Sequence, residues 1–415
     1  MPLKGKEWSM DFNYRYWSEK QVDEKSTYDF DDATQDFDIF NTDLSTDFEY
    51  KNSRSVPGLR LSYRNKKTSL SVSTNYVFRT ISSKDGLRPN LNLKRRFEAL
   101  ETYTRLRHQF SPKSSVSVRY SLNNRPPNTR QLQPFENVSN PLNTVVGNPN
   151  LKPSNSHDIN LHFNNYDFQK KTNVYVYSGV NFVNDQVVSK TTIDENFVRN
   201  TTYTNVDGTY NSYLGGGASI TKRIDTVKTL RIGTRLSGSI NKFVNFNNDV
   251  QYSAVNTSLS PSFELSFNWK DVMEITPEYR ISFTRSKYDI DQFDNEKFLR
   301  HNVAIRTATF LPKNLEWRND INYNYNPNIA DGFQKSAWFW NATLAYSILK
   351  DNGTISLKAY DLLNQNTNAR RIATANYIQD SQSTVLQRYF MLNFSWKFNS
   401  LGKAGEVKEG RRWRH

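Results

Sequence analysis

Apolar and polar residues alternate with a period of two along most of this chain, and this limits its fold more than any other feature. Clear examples lie at 8–16, 116–122, 159–163, 263–269 and 392–398. Successive side chains of a β-strand point to opposite faces, so each segment predicts a strand with one apolar face and one polar face. Helical spacing of apolar residues is not sustained anywhere in the chain. The sequence therefore predicts an all-β protein.

The predicted strands are numerous and long. Sixteen are predicted, at 7–17, 45–65, 68–80, 97–109, 113–122, 156–165, 172–183, 210–222, 229–242, 255–268, 273–287, 299–311, 314–325, 336–349, 353–363 and 387–398. Many run for roughly 10–14 residues, whereas strands of soluble sheets have about 5–6 residues. A tilted strand that crosses a bilayer needs about 9–11 residues, and the chain lacks the apolar run of about 18 residues that a transmembrane helix needs. Strand length therefore favours a membrane barrel.

The connections between the predicted strands alternate between short turns and long polar segments. The short turns lie at 64–67, 111–112, 167–171, 223–226, 270–271, 311–313 and 350–353, and the long segments at 18–44, 81–96, 123–155, 184–209, 243–254, 288–298, 326–335 and 364–386. Outer-membrane barrels have short turns at the periplasmic rim and longer loops outside the cell. The pattern therefore predicts a transmembrane antiparallel up-and-down β-barrel with both chain ends at the periplasmic rim.

The polar faces of the predicted strands carry large and charged side chains. They include Arg119, Asn160, His162, Arg231, Arg235, Glu264 and Arg280. Burying so many of them in a dry core would cost heavily in desolvation, whereas a water-filled lumen accommodates them and leaves the apolar faces to the lipid. A soluble β-sandwich binding protein is the alternative, and it would have the apolar rows inside instead.

Composition and motifs exclude several other classes of protein. The absence of cysteine excludes disulfides, zinc–thiolate sites and cysteine nucleophiles. The net charge of +14 is spread over turns and polar faces, without a nucleic-acid-binding motif, so no nucleic-acid partner is predicted. No catalytic motif is recognisable, and neither an enzyme activity, a cofactor nor a metal is predicted. We interpret Gly215–Gly217 as a strand kink or bulge, and the acidic segment 23–43 as a solvated loop rather than a Ca²⁺ site.

Two regions of the sequence carry a family resemblance. The longest connection contains NRPPNTRQLQPF at 124–135 and GNPNLKPS at 147–154, directly before an alternating strand. Near the C-terminus lie YDLLNQN at 360–366 and the alternating segment 387–399. Together these features resemble the outer-membrane β-barrel domain of TonB-dependent receptors, over about residues 7–399.

The resemblance implies a barrel of about 22 strands with a plugged lumen, preceded by a plug domain, a TonB-contacting segment and a signal peptide. None of these is recognisable here, so the chain is expected to be the C-terminal barrel portion, truncated on its N-terminal side. Residues 1–400 then form the barrel domain with about sixteen strands, and 401–415 form a basic C-terminal tail. The implied location is the outer membrane of a Gram-negative bacterium. The implied partners are outer-membrane lipid, lipopolysaccharide and, through the missing plug region, the TonB complex.

The expected function is ligand uptake. The extracellular loops would bind the ligand, which would then pass through a polar lumen. The resemblance implies a small ligand such as an iron chelate, carbohydrate or peptide. A passive sixteen-stranded porin-like channel is the alternative, because that strand number leaves an aqueous pore. The candidate ligand-binding residues lie in the 123–155 connection: Arg125, Arg130, Gln131, Asn148 and Asn150 as polar contacts, and Phe135 as a stacking surface. A second interpretation is that this connection only folds over the rim or caps the barrel wall.

Overall fold

The structure is a computed structural model, and it describes residues 7–137, 140, 142–327, 329, 334–349, 352–365, 368–373, 378–383 and 386–397. The predicted basic tail, 401–415, lies outside the described residues.

Strands dominate the described part of the chain. In chain order they are β1 (Trp8–Lys25), β2 (Tyr28–Asp31), β3 (Asp36–Phe40), β4 (Thr46–Arg64), β5 (Thr68–Asp85), β6 (Leu93–Ser111), β7 (Ser114–Arg125), β8 (Glu136–Asn137), β9 (Asn143–Val146), β10 (Ser154–Asp167), β11 (Thr172–Asn184), β12 (Gln186–Ile193), β13 (Arg199–Val206), β14 (Thr209–Arg223), β15 (Lys228–Asn247), β16 (Val250–Trp269), β17 (Met273–Tyr288), β18 (Glu296–Thr309), β19 (Leu315–Tyr325), β20 (Ser336–Ile348), β21 (Gly353–Tyr360), β22 (Asn368–Ala373), β23 (Ile378–Ser383) and β24 (Tyr389–Trp396). A 3₁₀ turn spans Pro89–Leu91, and one short helix, α1, spans Thr129–Leu132.

Sixteen of these strands form one antiparallel sheet. Its order is β1-β4-β5-β6-β7-β10-β11-β14-β15-β16-β17-β18-β19-β20-β21-β24, so each strand pairs with the next strand of the sheet along the chain. Each of the sixteen predicted strands overlaps one of these strands, and the predicted up-and-down antiparallel fold is confirmed. The remaining strands form small sheets within the long connections.

The strand register separates an apolar face from a polar face, as predicted. In the β10–β11 pair, Ile159 lies opposite Val180 on one face, while Asn160 lies opposite Gly179 on the other. The apolar face is the accessible one: Phe263 is 50% and Leu236 51% exposed. The total accessible surface of 28044 Å² also exceeds the about 16,600 Å² that the mass scaling gives for a globular chain of this size. The apolar rows therefore face outward, and the polar rows line the lumen.

The predicted long connections are wrong in part, because strands extend into them. The connection predicted at 243–254 consists only of Asn248 and Asp249, which join β15 to β16 with φ angles of 42° and 68°. Positive φ at both central residues is typical of a tight type I′ hairpin. The segments predicted as connections at 18–44 and 184–209 contain the end of β1, the β2–β3 hairpin and the β12–β13 hairpin.

A kink or bulge is predicted at Gly215–Gly217, and the structure contradicts the bulge. The pairing of β11 with β14 runs through it without a register shift, with Tyr177 opposite Gly215 and Gly179 opposite Tyr213. A Cβ atom on Gly215 would lie 2.4 Å from the Tyr177 ring, and one on Gly179 would lie 2.4 Å from the Tyr213 ring. These glycines therefore leave room for tyrosine rings that lie flat along the lumenal wall.

Candidate functional site: the inward-folded connection and the lumenal wall

The connection between β7 and β10, which contains most of the predicted site residues, begins with a short capped helix. Asn128 is the N-cap of α1, and its Oδ1 accepts a hydrogen bond from the Gln131 backbone N–H at 2.9 Å. The Gln131 Oε1 in turn accepts from the Asn128 backbone N–H at 2.9 Å. Such a reciprocal capping box satisfies two backbone donors that a helix otherwise leaves free. The Gln131 side chain is thus used to hold the connection in shape.

Apolar contacts fix this connection against the sheet. Leu132 and Leu151 are 0% and 1% exposed, and they pack with Ile81 of β5 and Phe97 of β6. Ile81 shares a face with Asn75 and Arg79, the polar face that lines the lumen. The connection therefore folds inward onto the lumenal wall. Burial of four apolar side chains at about 1.5–3 kcal/mol each is enough to hold it there.

Main-chain contacts close the connection on itself. The Gly147 N–H donates to the Gln133 carbonyl at 3.0 Å, and the Asn148 N–H donates to the Gln131 carbonyl at 2.6 Å. A Cβ atom on Gly147 would lie 2.2 Å from the Gln133 carbonyl oxygen and 2.6 Å from that of Arg130. Position 147 therefore admits only glycine without moving the backbone.

The β12–β13 hairpin supports the other side of the connection. Strand β13 pairs with β9 in parallel, and this places β12, β13, β9 and β8 in one small sheet. The Asn148 Nδ2 donates to the Tyr203 carbonyl at 2.9 Å, and Asn148 Oδ1 accepts from the Asn150 N–H at 2.9 Å. The Asn205 side chain accepts from the Lys152 N–H at 2.9 Å and donates to the Lys152 carbonyl at 3.0 Å. Two long connections thus form one unit over the wall.

Arg88 joins this unit to two other connections. Its guanidinium carbon lies 4.0 Å from the centre of the Phe135 ring, within the range of a cation–π contact. Its Nε lies 2.9 Å from Asp85 Oδ2, whose side chain is fully buried, and its Nη atoms donate to the carbonyls of Thr42 and Ser45 at 3.0 Å. Arg88 therefore ties the connections after β1, β5 and β7 together.

The structure separates the predicted ligand-binding residues into two groups. Gln131, Asn148 and Phe135 make the contacts described above, which favours the interpretation that they shape the loop. Arg125, Arg130 and Asn150 have exposed side chains. Arg130 is 81% exposed, with its Nη2 3.8 Å from Asp23 Oδ2. These three residues stay predicted contacts for a ligand.

Charged side chains of opposite sign line the wall formed by β15–β18. Arg231 Nη1 lies 3.8 Å from Glu264 Oε1, and Glu278 accepts from Arg280 at 2.9 Å and lies 3.7 Å from Arg306. The sequence predicted the lumenal position of Arg231, Glu264 and Arg280, but not the central position of Glu278. Only the strand register shows that Glu278 lies opposite Glu264 and beside two arginines.

Within the described ranges, no group of three His, Asp or Glu side chains is placed so that it could hold a metal ion. In that same part of the chain, no helix is long and apolar enough to cross a membrane.

Comparison with known proteins decides the family. The sequence profile of the outer membrane protein beta-barrel family matches residues 2–396. The chain belongs to this family. The barrel is accordingly an outer-membrane protein of a Gram-negative bacterium. No curated protein sequence matches the chain.

Several solved structures of outer-membrane barrels are similar to this barrel. The outer membrane transporter YddB from Escherichia coli is 10% identical, with a TM-score of 0.25, and the match covers 95% of this chain and 76% of YddB. The ferripyoverdine receptor of the outer membrane of Pseudomonas aeruginosa is 11% identical, with a TM-score of 0.28, and the match covers 94% of this chain and 65% of the receptor. OccK7 (OpdD) of Pseudomonas aeruginosa is 10% identical, with a TM-score of 0.24, and the match covers 94% of this chain and 98% of OccK7. The chain thus spans just under two thirds of the ferripyoverdine receptor.

Proposed function

We propose that the barrel is the ligand-binding and translocating part of a TonB-dependent outer-membrane receptor. The observation that carries the proposal is the inward-folded connection, residues 126–153, which packs Leu132 and Leu151 against the lumenal wall. It lies at the end of the barrel where the long connections lie, at the entrance from outside the cell. A ligand that enters the lumen would pass this unit first.

The exposed polar side chains of the unit supply the binding contacts. Arg125 and Arg130 offer guanidinium groups that recognise carboxylate or phosphate oxygens in a bidentate way, and Asn150 offers an amide. The β7–β10 pairing fixes the backbone of Arg125, and the capping box and the Gly147 contacts fix the connection that carries Arg130 and Asn150. Little conformational entropy is therefore lost when a ligand binds. An anionic iron chelate suits this set better than a neutral carbohydrate, and a peptide with an acidic end would also fit.

TonB is the proposed source of energy for the release of the ligand into the periplasm. The GNPNLKP segment supports this proposal, because it is the part of the sequence that most resembles TonB-dependent receptors. Outer-membrane lipid and lipopolysaccharide are the proposed surroundings of the apolar outer face, whose rows of Leu, Phe and Tyr side chains are exposed.

Uptake in cells that express the complete native protein tests the proposal. Labelled ferric chelates, oligosaccharides and peptides are supplied one class at a time, with and without a protonophore, in cells with and without TonB. We expect uptake of one class to fall to background when the proton-motive force is collapsed and when TonB is absent. Uptake that continues in both conditions would contradict the proposal.

A passive channel is the second candidate, and the charged wall of β15–β18 favours it. The rows of opposite charge formed by Arg231, Glu264, Glu278 and Arg280 would orient a polar solute during diffusion. In planar bilayers a passive channel gives a steady single-channel conductance without any energy source. The proposed receptor instead stays closed under the same conditions.

A further inference from the structure

A cavity of about 420 Å³ lies in the lumenal wall, apart from the predicted ligand-binding residues. Three neighbouring strands line it: Arg15 and Trp17 from β1, Asn52, Arg54 and Val56 from β4, and Arg79 from β5. Volumes of about 300–1,000 Å³ are usual for small-molecule sites. The cavity is therefore large enough to hold a small organic molecule.

The inward-folded connection lies directly beside this cavity. The Tyr50 Oη donates to Gln133 Oε1 at 3.1 Å, and Asn52 is the next residue of β4 on the same face. On β5, Ile81 packs against the connection, and Arg79 is the next residue on that face. A molecule in the cavity would thus be covered on the side of the long connections.

The cavity carries an excess of positive charge. Arg54 Nη2 lies 2.5 Å from Glu101 Oε2, so one of the three guanidinium groups is paired. Arg79 is half-buried and has no carboxylate partner within 4.0 Å among the described residues, and Arg15 is exposed. Glu19 lies opposite Asn52 in the register but is exposed and does not line the cavity. Glu101, which pairs with Arg54, is the nearby negative charge that acts on Arg79. A half-buried guanidinium without a carboxylate in direct contact is costly, and an anionic ligand would reduce that cost.

Polar atoms at this site also lack partners. In the part of the chain that is described, the buried Nε atoms of Arg54 and Arg79 and the Oδ1 atom of Asn52 make no hydrogen bond. Such atoms cost free energy when they are buried and unpaired, and they usually mark a site that a ligand or water completes. An oxyanion can accept from the guanidinium groups, and a ligand hydroxyl can donate to Asn52.

Trp17 adds a flat apolar surface to these charged groups. Trp17 is 48% exposed, and Val56, which is 2% exposed, lies next to Arg54 on the same face. An indole ring that is partly open stacks well against a planar, unsaturated ring. The cavity thus combines a stacking surface with guanidinium groups that match the planar geometry of a carboxylate.

We infer that this cavity binds an aryl carboxylate, with its ring against Trp17 and its carboxylate between Arg54 and Arg79. The inference rests on the proposed function to the extent that such an anion would be cargo for uptake. It names the chemical class of that cargo, and it places a binding site on the barrel wall below the connection.

Calorimetric titration of the detergent-solubilised full chain tests the inference, with benzoate as the probe. We expect benzoate to bind and benzylamine, which has the opposite charge, not to bind. Replacing Arg79→Gln removes one charge and its donors, and should weaken benzoate binding by about 10- to 100-fold. Arg119→Gln removes a charge of the same type elsewhere on the lumenal wall, and should leave benzoate binding unchanged.

Trp17→Leu provides a second variant in case Arg79→Gln does not fold, since Trp17 is half exposed. It should also weaken benzoate binding, while acetate, which has no ring, should bind weakly to all variants. The inference is overturned if benzoate does not bind, if benzylamine binds equally well, or if Arg79→Gln and Trp17→Leu both bind benzoate like the unchanged chain.

This titration needs neither TonB nor a proton-motive force, so its outcome is separate from the uptake experiment. Benzoate binding together with uptake that ignores the protonophore would overturn only the receptor proposal. Energy-dependent uptake without benzoate binding would overturn only the assignment of this cavity.

Discussion

Gly147 is the residue on which the shape of the inward-folded connection most depends. A Cβ atom there would meet backbone atoms of Gln133 and Arg130 at 2.2–2.7 Å, and backbone cannot rotate away as a side-chain tip can. We expect Gly147→Ala to lower the free energy of local unfolding of the connection by about 1–3 kcal/mol, the usual cost of overpacking. Hydrogen exchange of the peptides that cover 129–151 should become faster, while exchange in the sixteen-stranded sheet should not change.

Gly233→Ala is the matched control for this substitution. The nearest atoms to a Cβ at Gly233 lie 3.8–3.9 Å away, an ordinary contact distance. This variant should keep the exchange pattern of the unchanged chain. If residues 129–151 of the Gly147→Ala variant were as well protected from exchange as those of the unchanged chain, the connection would not depend on this close approach.

Asp289 fixes the start of the connection between β17 and β18. Its carboxylate accepts from the Ser253 hydroxyl at 2.5 Å and from the Ser253 backbone N–H at 2.6 Å. The Ser253 side-chain hydrogen bond is the main reason that the pKa of Asp289 lies below its ordinary value of 3.8. A lowered pKa stabilises the folded connection above the ordinary value, and this stabilisation is lost as the pH falls through the lowered pKa.

We therefore expect local protection of 289–295 to be constant above about pH 4 and to fall at lower pH. Hydrogen exchange, corrected for the intrinsic rate at each pH, measures this protection. Asp289→Asn carries no titrating group, so its protection should be lower at neutral pH and flat across the acid range. A fall of equal size in both proteins would assign the pH dependence to other groups.

Strands were predictable in their central parts and at many of their ends, but not where they extend into the predicted long connections, as β1, β15 and β16 do. Inside the bilayer the outer face must be apolar, so 229–242 and 255–268 show the alternation clearly. Beyond the bilayer water covers both faces, and the pattern fades, although β15 continues to Asn247 and β16 begins at Val250. The β12–β13 hairpin was missed for the same reason. Residues such as Lys190 and Thr191 are both polar, so the alternation of apolar and polar residues that marks a strand is absent there.

The candidate site was predictable only in its local parts. The Asn128-x-x-Gln131 spacing is a sequence signal for a capping box, and it could have shown that Gln131 is used within the loop. The contact of Arg88 with Phe135 joins residues from different connections. Such contacts depend on which loops meet over the lumen, and a strand pattern contains no information about that.

Deleting most of the inward-folded connection should show which properties of the protein depend on the connection and which depend on the sheet. Deleting 128–150 removes Leu132, the capping box and β8–β9, but leaves the β7–β10 pairing, which runs from Ser154 opposite Arg125 to Asn165 opposite Ser114. We expect the variant to insert into the outer membrane, to lose ligand uptake and to show a larger conductance in planar bilayers. Deleting 32–35 at the tip of the β2–β3 hairpin is the control, and it should change none of these properties.

Unchanged uptake by the 128–150 deletion, in the complete protein, would remove this connection from the binding site. Failure of the variant to insert would instead mean that the connection helps the sheet to fold.

At the scale of the whole molecule, the two faces of the sheet must meet different solvents. Leu161, at the centre of β10, lies opposite Val118 and Ser178 on the outer face, and His162 lies opposite Ser117 and Tyr177 on the lumenal face. Two residues that are adjacent in the sequence thus face lipid and water respectively. This arrangement explains how a chain with a mean hydropathy of −0.76 can be a membrane protein, because only alternate residues contact lipid.

Substitutions at these adjacent positions test the arrangement directly. Leu161→Arg places a charge near the middle of the bilayer, which costs about 2–4 kcal/mol in barrels of this type, whereas His162→Arg places the same group in the aqueous lumen. Leu161→Arg should therefore reduce the fraction of chain that folds into lipid vesicles, measured as the fast-migrating band on unheated gels, and His162→Arg should not. The reverse result would mean that the row of His162, and not the row of Leu161, faces the lipid.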